Sequence, residues 1–256
     1  MDLNAMDPKE LIGTDYFEDY KKETNALVWQ IIQLNYNLFF LEKIVKFPFR
    51  IFRINPLPFW HLITDSLFET SVMIIWRLVD KNEKTLSLFN LKNKIKHRLI
   101  KKEYQKQFTK ELERIKFDNR IASLRTRVEQ IRHNRLAHFN RKWIIKPTEA
   151  QIEQSTFSLF KLKELRDSLI SLFQFLRFGV STKLFYQDTS AKHEYPYGYD
   201  KPDDFEKLLD AIIKESEVLN LPENNKTQWL LHKKRLSQRD IKVFNSYRKK
   251  FHLTEV

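Results

Sequence analysis

Ile121-Ala122-Ser123-Leu124-Arg125-Thr126-Arg127-Val128-Glu129-Gln130-Ile131-Arg132-His133-Asn134-Arg135-Leu136-Ala137-His138 is the stretch on which the fold turns. Ile121, Leu124, Val128 and Ile131 recur at a 3-4-3 spacing, one face of a helix. Continuing that rhythm lands on Arg135 and His138, where the helix should still present apolar side chains. Arg132 lies four residues after Val128, beside the stripe. At about 100° per residue, Arg132 and His138 stand about 120° apart and flank Arg135, while His133 and Asn134 project to the other side. A polar group on a buried stripe costs free energy unless something satisfies it. The stretch is therefore both a helix end and a candidate site.

Working outward, this helix is expected to run from about Glu103 to Ala137, roughly 50 Å long. Before it, Lys101-Lys102 marks a bend after a shorter helix that starts near Ser87. Further back, the segment from about Phe59 to Asp80 is apolar over most of its circumference, with His61, Asp65, Glu69 and Arg77 as its polar exceptions. Such a helix is a central, buried one. Asn55-Pro56-Leu57-Pro58 resets the chain ahead of it. A first helical region runs from about Pro8 to Val45, broken near Gly13, with Leu27, Ile31, Leu34, Leu38 and Leu41 on one face. After the opening stretch, Thr148-Glu149-Ala150-Gln151 reads as a capping box. Leu165, Leu169, Leu172, Phe173, Leu176 and Val180 continue a helical pattern. Residues 184–203 read as an irregular connection, followed by short helices at about 203–219 and 237–250.

The expected fold is all-α: a bundle of four or five helices over residues 1–183, with a C-terminal helical appendage over 184–256. Only 3 glycines and no cysteines occur among 256 residues. Glycine-rich phosphate loops and nucleophile elbows are thereby excluded, as are disulfides, thiol catalysis and Cys-ligated zinc. None of the seven histidines forms the i, i+4 pair with glutamate of a metalloprotease helix. No metal and no cofactor is expected. The longest uncharged stretch, Thr24 to Leu41, holds two glutamines and three asparagines, which fits a buried amphipathic helix better than a membrane span. With no evident signal peptide, the expected location is the cytoplasm.

The formal charge of +13 is uneven. Lys92 to Lys142 holds 17 Lys/Arg against 5 Asp/Glu, a net of +12, whereas the first 24 residues hold 3 against 7, a net of −4. A basic band on an otherwise balanced chain is the footprint of a polyanion such as RNA. Solvated helix faces give the same count, and charge alone leaves both readings open.

RNA cleavage at neutral pH needs a base for the 2′-hydroxyl, an acid for the leaving oxygen and a cation at phosphorus. His titrates near neutrality, and Arg grips phosphate bidentately. One His and one Arg make half a site, which an isologous dimer would double. Equally, cations at a helix C-terminus complement the helix dipole with no further role.

Arg132 to His138 resembles the Arg-x(4–6)-His motif of the HEPN (higher eukaryote and prokaryote nucleotide-binding) superfamily. His133 takes the place of the polar residue after the Arg, and Ala137 precedes the final His. Ile75-Trp76-Arg77-Leu78-Val79-Asp80, followed by Thr85-Leu86-Ser87-Leu88, resembles the preceding helix and loop of the abortive-infection U-like branch. The resemblance covers about residues 10–180. It implies an all-helical homodimer that cleaves RNA without metal, leaves a 2′,3′-cyclic phosphate, and serves as a toxin or in antiviral defence. It implies that Arg132 binds the scissile phosphate, that His138 is the acid/base, and that His133 supports them. Arg135, Asn134, Arg127, Arg141 and Lys142 are the expected RNA contacts. An antitoxin or a defence-complex partner is also implied. Some relatives carry a Tyr two residues beyond the final His, where this chain has Asn140. The alternative is a non-catalytic helical subunit that binds RNA or docks a partner.

Overall fold

The computed structural model describes residues 3, 6–46, 57–132 and 159–178, together with Gln238, Ile241, Lys242, Asn245, Ser246 and Lys249. Helices account for nearly all of them. Among the described residues there is no strand, only a single antiparallel bridge between Ile12 and Ile100. The all-α expectation holds. The chain divides into two units, Met1–Leu38 with Phe68–Tyr186, and Phe39–Leu67 with Gln187–Val256. The expected boundary at 183/184, the capping box at Thr148 and the connection after 184 lie outside the described residues.

A short first turn, α1 (Pro8–Leu11), is capped by Asp7, whose carboxylate accepts the Lys9 N–H at 2.8 Å, with Pro8 at a position that needs no donor. The expected break near Gly13 is present. Ile12 turns extended, the Gly13 N–H donates to the Leu99 carbonyl at 2.8 Å, and the Lys101 N–H donates to that of Leu11. A 3₁₀ turn at Thr14–Tyr16 leads into α2 (Phe17–Lys46). Leu27, Ile31, Leu34 and Leu38 of α2 are fully buried.

Next come α3 (Leu57–Val79), α4 (Leu88–Lys94) with a wider π-type turn over Ile95–Leu99, and α5 (Lys102–Arg114). They are followed by α6 (Phe117–Ile131) and α7 (Leu159–Leu176). In the first unit α7 packs against α4 and α6. It meets α5 through Phe175, which stacks on Phe108 with ring centroids 5.6 Å apart. In the second unit the Phe39 and Phe40 rings meet edge-on, and the Lys43 ammonium lies over Phe39. Helical conformation at Gln238, Ile241, Lys242, Asn245, Ser246 and Lys249 agrees with the helix expected near 237–250.

One expectation is corrected. The helix expected from Glu103 to Ala137 is two helices, broken at Ile115-Lys116, where Lys116 takes the left-handed conformation (φ 52°, ψ 44°). Phase explains the break. Phe108 and Leu112 are buried, and so are Phe117 and Ile121. From Leu112 to Phe117 is five residues, which an unbroken helix would place about 140° apart. The kink returns both pairs to the core.

A left-handed lysine costs about 1–2 kcal/mol, part of which glycine recovers. Lys116→Gly is expected to stabilise the protein by about 0.5–1 kcal/mol, read as a rise in melting temperature of a few degrees.

Tyr20 ties the start of α2 to the end of α7. Its hydroxyl donates to the Leu176 carbonyl at 3.0 Å, and its ring meets Phe178. Burial pushes the phenol pKa well above its ordinary value, and the nearby Arg177 only partly opposes this. Because the folded pKa is the higher one, the stabilisation is complete below about pH 10 and is lost as the pH rises beyond it. Tyr20→Phe is expected to cost about 1 kcal/mol at pH 8. It is also expected to fall less steeply than wild type between pH 10 and 11 in urea unfolding.

Candidate functional site

The site begins with the end of α3. Val72, Ile75, Leu78 and Val79 are buried, which leaves Arg77 exposed on the other side of the helix and Trp76 partly exposed at the edge of the buried face. The loop that follows is locked by its own polar groups. Ser87 caps α4 by accepting the Asn90 N–H at 3.2 Å, and its hydroxyl donates to the Asp80 carbonyl at 2.6 Å. The Asp80 carboxylate accepts the Asn82 N–H and the Thr85 hydroxyl. The Asn90 amide donates to the carbonyls of Asn82 and Thr85, at 2.6 and 2.8 Å. Asp80, Thr85 and Ser87, singled out in the sequence, are thus the residues that fix α3 against α4.

From α6, Phe117, Ile121, Leu124, Val128 and Ile131 enter the core, as the stripe predicts. Arg132 continues the helical backbone, its N–H donating to the carbonyls of Val128 and Glu129. The residue is half-buried, and its guanidinium carbon lies 4.6 Å from the centroid of the Trp76 ring. Arg125, two turns earlier on the same line of α6, lies 5.2 Å from the same centroid. Two side chains that start about 10.5 Å apart along the helix therefore converge on one indole. Among the described residues neither arginine has a carboxylate partner.

The rest of the basic band divides. Lys92 is buried, 2.8 Å from the Asp118 carboxylate and over the Phe89 ring. Lys94 pairs with Glu23, Arg114 with Glu111, and the Arg98 guanidinium lies over Tyr16. Exposed cations are left at Lys102, Lys106, Lys110, Lys116 and Arg127. Among the described residues no group of three His, Asp or Glu side chains could hold a metal ion.

Of the expected site residues, Arg132 and Arg127 fall within the described structure. Arg127 is exposed and, five residues from Arg132, points about 140° away from it around α6. His133, Asn134, Arg135, His138, Arg141 and Lys142 lie outside the described residues. Arg125 and Trp76 were missed as members of this cluster. Arg125 sits one residue past Leu124 as Arg132 sits one past Ile131, and that shared offset was the available signal.

A family model, HEPN_AbiU2 (AbiU2), matches residues 17–195. The chain belongs to the AbiU2 family of HEPN proteins. Comparison with curated proteins and with solved structures gave no match. The AbiU2 match takes in all of α2 to α7, including the Asp80–Asn90 loop and the Trp76–Arg132 contact. No helix among the described residues is long and apolar enough to cross a membrane.

Proposed function

We propose that this AbiU2 protein is a metal-independent endoribonuclease that works as a homodimer in the cytoplasm, as a toxin or antiviral effector. The observation that carries the reading is the placement of Arg132. Its guanidinium is held against Trp76 without an ion-pair partner among the described residues, at the start of the Arg-x-x-x-x-x-His motif. A fixed, unneutralised guanidinium is a preorganised fork for a phosphodiester.

In the proposed reaction one His138 removes the 2′-hydroxyl proton, and the 2′-oxygen attacks phosphorus. The bond to the 5′-oxygen breaks, and that oxygen takes a proton from the His138 of the second protomer. Arg132 holds the charge that builds on the phosphoryl oxygens, and His133 supports the pair. The products are a 2′,3′-cyclic phosphate and a 5′-hydroxyl. Asn134, Arg135, Arg127, Arg141 and Lys142 hold the flanking strand.

The test is to map RNA ends genome-wide after brief induction of wild type and His138→Ala in parallel. New 5′-hydroxyl ends confined to the wild type are expected. Identical end profiles from both proteins would leave the non-catalytic RNA-binding reading in its place.

A further inference from the structure

We propose that Arg125 is a second phosphate-binding residue, yoked to Arg132 by the indole of Trp76, so that α6 grips an RNA backbone at two points. The proposal rests on the ribonuclease reading for the identity of the polyanion, while its geometry stands apart from the motif. Both guanidinium carbons lie near one ring centroid, at 5.2 and 4.6 Å, which places them within about 10 Å of each other. Two like charges that close repel, and among the described residues no carboxylate neutralises either of them.

This distinguishes the pair from the ion-paired cations of the first unit. Lys92, Lys94, Arg114 and Arg166 each have a carboxylate partner. The two arginines are half-buried, and each rests its guanidinium against the indole. An indole against which two guanidinium groups rest is not free to stack a base. The site is therefore a backbone reader, and its contribution is independent of base sequence. Trp76 is the positioning residue: it spaces the two cations and limits the side-chain entropy lost when phosphate arrives.

The experiment is equilibrium binding of a 2′-O-methyl oligoribonucleotide, which cannot be cleaved through a 2′-hydroxyl, across a salt series. Wild type, Arg125→Gln, Trp76→Phe and Trp76→Leu are compared, each checked by its thermal melt. Arg125→Gln is expected to reduce the slope of log K against log salt by about 0.7, the value for one phosphate contact on a single strand. The loss should be equal on oligonucleotides of different sequence. Trp76→Phe, which keeps a ring, is expected to bind near wild type, and Trp76→Leu more weakly. An unchanged slope in folded Arg125→Gln, or no binding by wild type, overturns the proposal. Wild-type affinity in Trp76→Leu overturns the role of the indole. Because this readout needs no cleavage, a reduced slope in a protein that cuts no RNA would sustain the phosphate site and sink the ribonuclease reading.

Discussion

Arg132→Ala and His138→Ala are each expected to lower the rate of RNA cleavage at least about 10²-fold. Losing a positioned proton-transfer group or a preorganised cation costs that much or more when the group acts only in the transition state. For Arg132 the structural cost should be small. Its side chain is half-buried and its described contact is the Trp76 ring, worth about 0.5–2 kcal/mol. The melting temperature should therefore move by only a few degrees while activity collapses, a split that a merely structural arginine would not produce. Arg132→Lys keeps the charge, loses the planar fork and should fall between the two. Initial rates on a labelled RNA, with light scattering to confirm the dimer, supply the check. A heterodimer of wild type with His138→Ala keeps only one of the two proton-transfer groups, and a rate far below half that of wild type is expected of a shared site.

The second large effect is on stability. Phe108→Ala removes a fully buried ring that stacks on Phe175 and tilts against Phe178, 5.6 and 5.7 Å away. Deleting a core phenylalanine costs about 3–5 kcal/mol, the lost transfer energy plus the cavity left behind. For a chain of this size that corresponds to a drop in melting temperature of about 6–20 °C. Phe108→Leu, which refills part of the space, should recover a substantial share. A calorimetric melt of the variants decides it, and a drop of under 3 °C for Phe108→Ala would remove the α5–α7 aromatic contact from its place in the core.

Much of the helix layout was legible because burial writes a period into the sequence. Leu27 to Leu38 and Ile121 to Ile131 show it, and both stripes are buried as their spacing requires. The break at Gly13 was legible from glycine. The break at Lys116 was not, because neither Gly nor Pro announces it; the 140° slip between Leu112 and Phe117 carried the information instead. At the site, the motif singled out Arg132 but said nothing of what holds it. Trp76 lies 56 positions earlier in the chain, and no local pattern links the two. Likewise, the +12 band treated its cations as equivalent. Folding buries Lys92 on Asp118, leaves Arg127 in solvent and brings Arg125 beside Arg132.

The central claim is that Arg132 and His138 cut RNA through the 2′-hydroxyl without metal. It is tested most directly by incubating purified dimer with RNA in excess chelator and determining the chemistry of both new ends. The expected result is 2′,3′-cyclic phosphate and 5′-hydroxyl ends from wild type and none from His138→Ala. Undiminished cleavage by His138→Ala, 3′-hydroxyl ends, or an intact wild-type dimer that leaves the RNA whole would contradict it.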